Sequence, residues 1–257
     1  MPERTGWFER APHSLAVLEP GAIAHAVAAS LVDQIRDILE RRAHAVIAPS
    51  AGRTHIETLM VLRRRYFQAV DWSRVICVQM DEYADVGSED GRSLSAQIES
   101  QLVAPLRIGR FIRFNDAAGL LERSLQDYEQ EIDALGGIDC AIHGVGVNGH
   151  IGFNEPFATP AAHARRVRLA RATQTANGVD FSHGITLGLD TLVAARTSIV
   201  VLLGAQKRPA AGELLYGSVG PHNPVGHLRL CDRVAIYMDR EAAPAGFAGE
   251  VRPNNVR

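Results

Sequence analysis

Four short apolar runs, each followed by a polar or glycine-containing turn, constrain the fold of this chain more than any other feature. They lie at residues 44–48, 75–80, 138–143 and 197–203. Patterns with a helical period separate them, as at residues 56–67. Strands that alternate with helices in this way form a mostly parallel sheet covered on both faces. The sequence therefore predicts an α/β fold, and no repeat or linker divides it.

The charge balance argues against a polyanionic partner. The chain has 27 basic and 29 acidic residues and a formal charge of −2, so it has no bulk attraction to nucleic acid or to an anionic membrane surface. No apolar run is long enough to span a membrane, and residues 1–13 lack the apolar core of a signal peptide. We expect a cytoplasmic protein that acts on a small molecule, with no nucleic-acid or membrane partner.

The cysteines and histidines predict neither a disulfide framework nor a metal site. Cys77, Cys140 and Cys231 are far apart in the chain, and none belongs to a CxxC pair. A glycine turn separates His143 from His150, and no His, Cys and Asp cluster has the spacing of metal ligands. No metal is therefore expected.

Residues 144–156 have the composition of a site. Four glycines within nine residues allow tight turns, and His150 and Glu155 add an imidazole and a carboxylate at the same place. The first three glycines match the G-x-G-x-x-G dinucleotide pattern, but Pro156 disfavours the helix that would receive a pyrophosphate. No cofactor is therefore expected. A purely structural glycine turn is the alternative, but it leaves His150 and Glu155 without a role.

Segments 50–54, 81–83, 144–155 and 204–207 each follow a predicted strand, at the edge where open α/β sheets bind ligands. The first segment joins a strand to a helix through small residues, so its amides can face an anion, and Lys207 can add a positive charge. A glycine turn of ordinary kind and a solvated lysine are the alternatives. The predicted anion-binding residues are Ser50, Ala51, Gly52, Arg53, Thr54, Gly146 and Lys207.

The carboxylate pair Asp81 and Glu82 ends the second apolar run. Adjacent residues of an extended chain point in opposite directions, so only one of the two should enter a site. Asp81 is the better candidate for a general base, because partial burial raises the proton affinity of a carboxylate. Helix capping or a surface ion pair is the alternative reading, and it suits Glu82 better.

Several motifs resemble the glucosamine-6-phosphate deaminase (isomerase) family, within a superfamily that includes the 6-phosphogluconolactonases. They are MDEY at residues 80–83, HIGFNEP at 150–156, and the segments 173–177, 203–207 and 239–242. The resemblance runs from about residue 20 to about residue 243 and implies that residues 1–257 form a single domain, a Rossmann-like three-layer sandwich. It also implies conversion of an amino-sugar 6-phosphate to a ketose phosphate with release of ammonia, without a cofactor or metal.

The resemblance implies roles for individual residues. Asp81 would move the proton between C2 and C1 of the sugar, and His150, supported by Glu155, would open the ring. Residues 50–53 and Lys207 would hold the phosphate. Asn148 joins the catalytic group at a position where many members have Asp, which weakens the charge partner of His150. Members are often oligomers, so a homo-oligomer is compatible with the sequence.

One departure concerns the phosphate. A family arginine that reaches the phosphate is Val179 in this chain, and Arg53 is the residue that could supply the missing charge. A substrate whose phosphate is placed differently, or is absent, is the competing explanation. Of the residues expected at an allosteric phosphate site, only Arg165 is clearly present, so we expect little allosteric control.

Three other functions stay open, and one of them is a related isomerase or deaminase that acts on a non-standard amino sugar. A lactonase of the 6-phosphogluconolactonase type is disfavoured because Glu155 follows the histidine in the manner of the deaminases. A sugar-phosphate sensor of a transcription regulator is disfavoured because about 20 residues before the first helix are too few for a helix-turn-helix module. The presence of Asp81 and His150 also favours turnover over sensing.

Overall fold

A computed structural model of the chain describes residues 7–9, 13–84, 86–87, 90–114, 121–157 and 162–247. The strands in chain order are β1 (Ser14–Val17), β2 (Ala45–Pro49), β3 (Val75–Val78), β4 (Asp81–Tyr83), β5 (Arg110–Ile112), β6 (Cys140–Gly144), β7 (Arg165–Arg168), β8 (His183–Thr186), β9 (Thr197–Leu202) and β10 (Val234–Met238). Seven of them form a parallel sheet in the order β1-β10-β9-β6-β2-β3-β5. The others form a small antiparallel sheet in the order β4-β8-β7.

The longest helix shows how the sequence pattern produces the elements. The helices are α1 (Pro20–Leu39), α2 (Ile56–Arg65), α3 (Leu94–Ile98), α4 (Ala104–Leu106), α5 (Leu121–Ala134), α6 (Arg171–Asn177), α7 (Leu189–Val193) and α8 (Arg208–Tyr216). Pro20 stands at the start of α1, where its missing N–H costs nothing. Ile23, Val27, Leu31 and Ile35 then recur at helical spacing and are all buried. The apolar stripe therefore holds α1 against the sheet.

The large sheet is the middle of three layers. Val46 and Ala48 of β2 belong to one apolar cluster, and Ala45 and Ile47 belong to the other, because successive side chains of a strand point to opposite faces. The first cluster is covered by α5 and α8, and the second by α1 and α2. The predicted Rossmann-like α/β sandwich with a mostly parallel sheet is confirmed.

One predicted boundary was wrong. The second predicted strand does not run to residue 80, since the chain leaves the large sheet after Val78 and Asp81–Tyr83 pairs with the small sheet. At the other edge of the large sheet, Ser14–Val17 forms a strand paired with Val234–Met238. Strands of three or four residues carry too little periodic signal to be separated in the sequence.

The sequence also predicts a helix over residues 117–135 and a loosely ordered tail after Asp239, and parts of both segments lie outside the described residues. The prediction of one domain over residues 1–257 stays a prediction. In the part of the chain that the structure describes, no helix combines the length and the apolar composition that a membrane crossing requires.

Candidate active site

A cavity of about 860 Å³ lies at the carboxyl ends of β2, β6 and β9, between the large sheet and the small one. All four segments predicted to converge at this edge contribute to its wall. Of the predicted site residues, those that line it are Ser50, Ala51, Gly52, Arg53, Thr54, Asp81, Gly146, His150 and Lys207. Asn148 and Glu155 lie behind His150, in contact with its ring or with each other.

The imidazole of His150 lies flat against the backbone of the glycine turn. A Cβ atom at Gly146 would lie 2.2 Å from Cε1 of His150, far inside van der Waals contact, so only glycine leaves room for the ring. Gly149, which precedes the histidine, has a φ of +84°, a conformation that residues with a Cβ rarely adopt. The glycines of this segment therefore determine where the imidazole sits.

One edge of the imidazole is fully engaged. Nδ1 of His150 lies 2.8 Å from Oδ1 of Asn148, 3.1 Å from Oγ1 of Thr173 and 3.5 Å from Oε2 of Glu155. Among the described residues nothing hydrogen-bonds to Nε2, and the ring lines the cavity. The histidine is therefore held through Nδ1, with its other nitrogen available to a ligand.

Glu155 is a buried carboxylate with several donors. It accepts hydrogen bonds from Nδ2 of Asn148 (2.8 Å), Oγ1 of Thr173 (2.6 Å) and the backbone N–H of Ala170 (3.0 Å). Burial alone would raise the pKa of Glu155, but His150, Thr173 and Asn148 together lower it to about 2. The side chain is a fixed anion behind the imidazole.

Asp81 is also a buried carboxylate, but its pKa is raised and not lowered. It is 7% exposed, and within the described chain its Oδ1 has no hydrogen-bond partner. Burial, with a smaller contribution from the neighbouring charge of Glu82, raises the pKa of Asp81 to about 7. A carboxylate of this kind takes up a proton near neutral pH, as a general base must.

Glu82 points away from the cavity, as the extended chain predicts. Its carboxylate accepts hydrogen bonds from the backbone N–H groups of Leu94 (2.9 Å) and Ser95 (2.8 Å), and from the hydroxyl of Ser93 (2.9 Å). These amides begin α3, so Glu82 caps that helix. The capping alternative describes Glu82, and Asp81 alone of the pair lines the cavity.

Two cations face the cavity from the loop after β2 and the turn before α8. Nη2 of Arg53 donates to the carbonyl of Ala176 at 2.7 Å, and Nζ of Lys207 donates to the carbonyl of Val145. Neither forms an ion pair with any carboxylate that the structure describes. Burial and the nearby charge of Arg53 both lower the pKa of Lys207. Two adjacent cations without a counterion have the charge that would attract an anion.

The loop after β2 is shaped to approach such an anion. Gly52 has a φ of +97°, and Oγ of Ser50 accepts a hydrogen bond from the backbone N–H of Gly144 at 2.8 Å. The Ser50 hydroxyl proton is therefore free to donate toward the cavity. Val179 lines the same cavity and packs in an apolar cluster with Tyr83 and Phe153. The wall at residue 179 is therefore uncharged.

Residues missed at the sequence level complete the site. Thr173 is completely buried and contacts both His150 and Glu155, whereas the sequence marks it only as the first residue of the segment 173–177. Tyr83, which follows the carboxylate pair, stacks on Phe181 and accepts a hydrogen bond from Asn177. In the described ranges no group of three or more His, Cys, Asp or Glu side chains could hold a metal ion.

Comparison with known proteins shows what the chain resembles. A family model described as glucosamine-6-phosphate isomerases/6-phosphogluconolactonase matches residues 19–236. A glucosamine-6-phosphate deaminase of Arthrobacter sp. (strain FB24) is 32% identical over 239 residues, which are 88% of this chain and 90% of that protein. One of Clostridium beijerinckii is 28% identical over 222 residues, 82% of this chain and 91% of its own length.

Solved structures give the same picture. A monomeric glucosamine-6-phosphate deaminase superimposes with a TM-score of 0.81 at 26% identity, over 89% of this chain and 98% of its own. A 6-phosphogluconolactonase from Shewanella baltica superimposes with a TM-score of 0.74 at 17% identity, over 88% and 97% of the two chains. At that identity the second likeness concerns the fold alone.

Proposed function

Because the chain belongs to the glucosamine-6-phosphate isomerase and 6-phosphogluconolactonase family of enzymes, we propose that its cavity converts an amino-sugar 6-phosphate, glucosamine 6-phosphate or a close relative, into a ketose phosphate and ammonia. The observation that carries the proposal is Asp81, a buried carboxylate with an unpartnered oxygen in the cavity wall. Removing a proton from a carbon atom requires a base of this kind.

The proposed reaction starts with ring opening at His150. Its Nε2 would accept the proton of the C1 hydroxyl and return a proton to the ring oxygen, which yields the open-chain aldehyde. Glu155 stabilises the imidazolium formed in between, because it remains ionised 3.5 Å from Nδ1.

Proton transfer at Asp81 follows in this scheme. Asp81 takes the proton from C2 while a proton of the substrate ammonium group passes to the C1 oxygen, which gives an enolamine. Asp81 then returns its proton to C1, which gives a ketose iminium ion. Water then adds to C2, and ammonia leaves as the C–N bond breaks. Each proton that is removed is given back, so the reaction needs water but no redox partner.

Arg53 and Lys207 would bind the phosphate in this scheme. Each is anchored on a backbone carbonyl and has donors to spare, since Arg53 carries five N–H groups and Lys207 three. Arg53 would then supply the charge that an arginine at position 179 would provide from the opposite wall. The Ser50 hydroxyl adds a further donor.

A lactonase reaction accounts for less of the cavity. Hydrolysis of a lactone moves no proton to or from carbon and needs one general base to activate water, so either His150 or Asp81 alone would suffice. The three cysteines are free and buried, so none forms a disulfide. Free cysteines suit a reducing compartment, and we place the proposed reaction in the cytoplasm.

The proposal is tested by ammonia release from glucosamine 6-phosphate, galactosamine 6-phosphate and unphosphorylated glucosamine. We expect release from a phosphorylated sugar, abolished by Asp81→Asn and by His150→Gln. Release from the unphosphorylated sugar alone, or from none of the three, would overturn the proposal.

A further inference from the structure

The hydroxyl of Thr173 has one proton and two neighbours. Its Oγ1 lies 2.6 Å from Oε1 of Glu155 and 3.1 Å from Nδ1 of His150. Glu155 is ionised and can only accept, so the hydroxyl proton is committed to the carboxylate. Toward His150 the hydroxyl therefore presents a lone pair.

The amide of Asn148 is oriented by the same carboxylate. Nδ2 of Asn148 donates to Oε2 of Glu155 at 2.8 Å, which turns Oδ1 toward His150. The backbone N–H of His150 also donates to this Oδ1, at 3.3 Å, so the amide cannot be reversed without losing two hydrogen bonds. Nδ1 of His150 thus faces two acceptors, from Asn148 and Thr173.

We propose that Thr173 and Asn148 are positioning residues that hold His150 in the tautomer protonated on Nδ1, leaving the lone pair of Nε2 in the cavity. This inference deepens the proposed function, and only its kinetic part rests on that function. With Nδ1 protonated, the neutral ring can accept the C1 hydroxyl proton at Nε2. With the other tautomer, Nε2 would already carry a proton and could not begin ring opening.

An uncharged residue at position 148 is suited to this arrangement. A carboxylate there would place a second anion at hydrogen-bond distance from Glu155, and one of the two would then tend to hold a proton. The amide instead donates to Glu155 and accepts from His150. Glu155 therefore orients the amide of Asn148, and the amide in turn orients the imidazole of His150.

The position of Thr173 is set at both ends of α6. The backbone N–H of Ala170, the residue before the helix, donates to Glu155, and the carbonyl of Ala176 accepts from Arg53. The hydroxyl is therefore placed by contacts from the loop after β2 and from the segment after β6.

The test is ¹⁵N NMR of the full-length, histidine-labelled chain without substrate, at a pH at which the ring is neutral. The His150 signals are assigned by their loss in His150→Gln. We expect the wild-type ring to show a protonated Nδ1 and an unprotonated Nε2. Thr173→Val and Asn148→Ala should each give a signal from the Nε2-protonated tautomer, whereas Thr173→Ser should match the wild type.

Kinetics supply a second readout. Thr173→Val should lower kcat about 10-fold, because Nδ1 of His150 loses one of its two uncharged acceptors, with little change in KM. Thr173→Ser should restore kcat to within about 3-fold of the wild type. Thr197→Val removes a buried hydroxyl that donates to Gln34 at the opposite end of the sheet, and should change neither the His150 spectrum nor kcat.

Two results would overturn the inference: a wild-type ring protonated on Nε2, or wild-type spectra for both Thr173→Val and Asn148→Ala. Failure of the proposed function gives a different pattern. In that case the expected spectra are seen, but no amino-sugar phosphate releases ammonia, and the tautomer assignment stands.

Discussion

Asp81 and Glu155 lie in the same site and are equally buried, at 7% and 6% exposure, but their pKa values move in opposite directions. The pKa of Glu155 is lowered to about 2, and that of Asp81 is raised to about 7. Glu155 accepts three hydrogen bonds and faces His150, whereas one oxygen of Asp81 has no partner among the described residues. Burial favours the neutral form of both carboxylates, and only Glu155 has partners that reverse this effect.

The largest expected effect comes from Asp81→Asn. Activity should fall about 1,000-fold or more, because the proposed base is lost. The free energy of unfolding, in contrast, should rise. A raised pKa in the folded state means that the stability contributed by protonated Asp81 is complete below the ordinary pKa of 3.8 and is lost as pH rises through about 7.

At pH 8 the neutral asparagine avoids this loss, so the free energy of unfolding should rise by about 2–4 kcal/mol. Denaturant unfolding and an ammonia assay measure the two effects. Asp37→Asn, on the exposed side of α1, should change neither. An Asp81→Asn variant that is active, or less stable than the wild type, would contradict the account.

Glu155→Gln tests the carboxylate whose pKa is lowered. The depressed pKa of Glu155 means that its stabilising effect is present above the ordinary pKa of 4.5 and is lost as pH falls through about 2. At pH 7 the substitution should lower the free energy of unfolding by about 1–3 kcal/mol, because a charged acceptor is lost. It should also lower kcat about 100-fold. A more stable variant would show that Glu155 is not held as an anion.

Arg53→Ala extends the comparison to the anion-binding end of the cavity. KM for a phosphorylated substrate should rise about 10- to 100-fold, since charge-assisted hydrogen bonds are lost, with a smaller change in kcat. Arg63→Ala, in the last turn of α2 and outside the lining of the cavity, is the matched control and should leave KM unchanged. Adding Val179→Arg to Arg53→Ala should recover part of the loss. Equal effects at positions 53 and 63 would place Arg53 outside the substrate site.

The pH dependence of the wild-type enzyme tests the role of Asp81 without any substitution. With the pKa of Asp81 near 7, kcat/KM should fall tenfold for each pH unit below that value, because protonated Asp81 cannot act as a base. Steady-state rates between pH 5 and pH 9 measure this. A rate that stays constant down to pH 5 would mean that Asp81 is not the base.

The sequence predicts the edge of the sheet at which these groups meet, because Asp81, His150 and Lys207 each follow an apolar run. It does not predict their environments. Thr173 reaches Glu155 across 18 positions of the chain, and Arg53 reaches Ala176 across 123. The opposite pKa shifts of the two carboxylates depend on such long-range partners, which no local pattern records.

The most direct test of the proposed deamination uses the wild-type enzyme on glucosamine 6-phosphate and, separately, on 6-phosphogluconolactone. Ammonia and fructose 6-phosphate are measured in the first reaction, and the acid product in the second. We expect equal amounts of ammonia and fructose 6-phosphate in the first reaction. In the second, we expect the lactone to hydrolyse no faster than it does in buffer. Rapid lactone hydrolysis without ammonia release would contradict it.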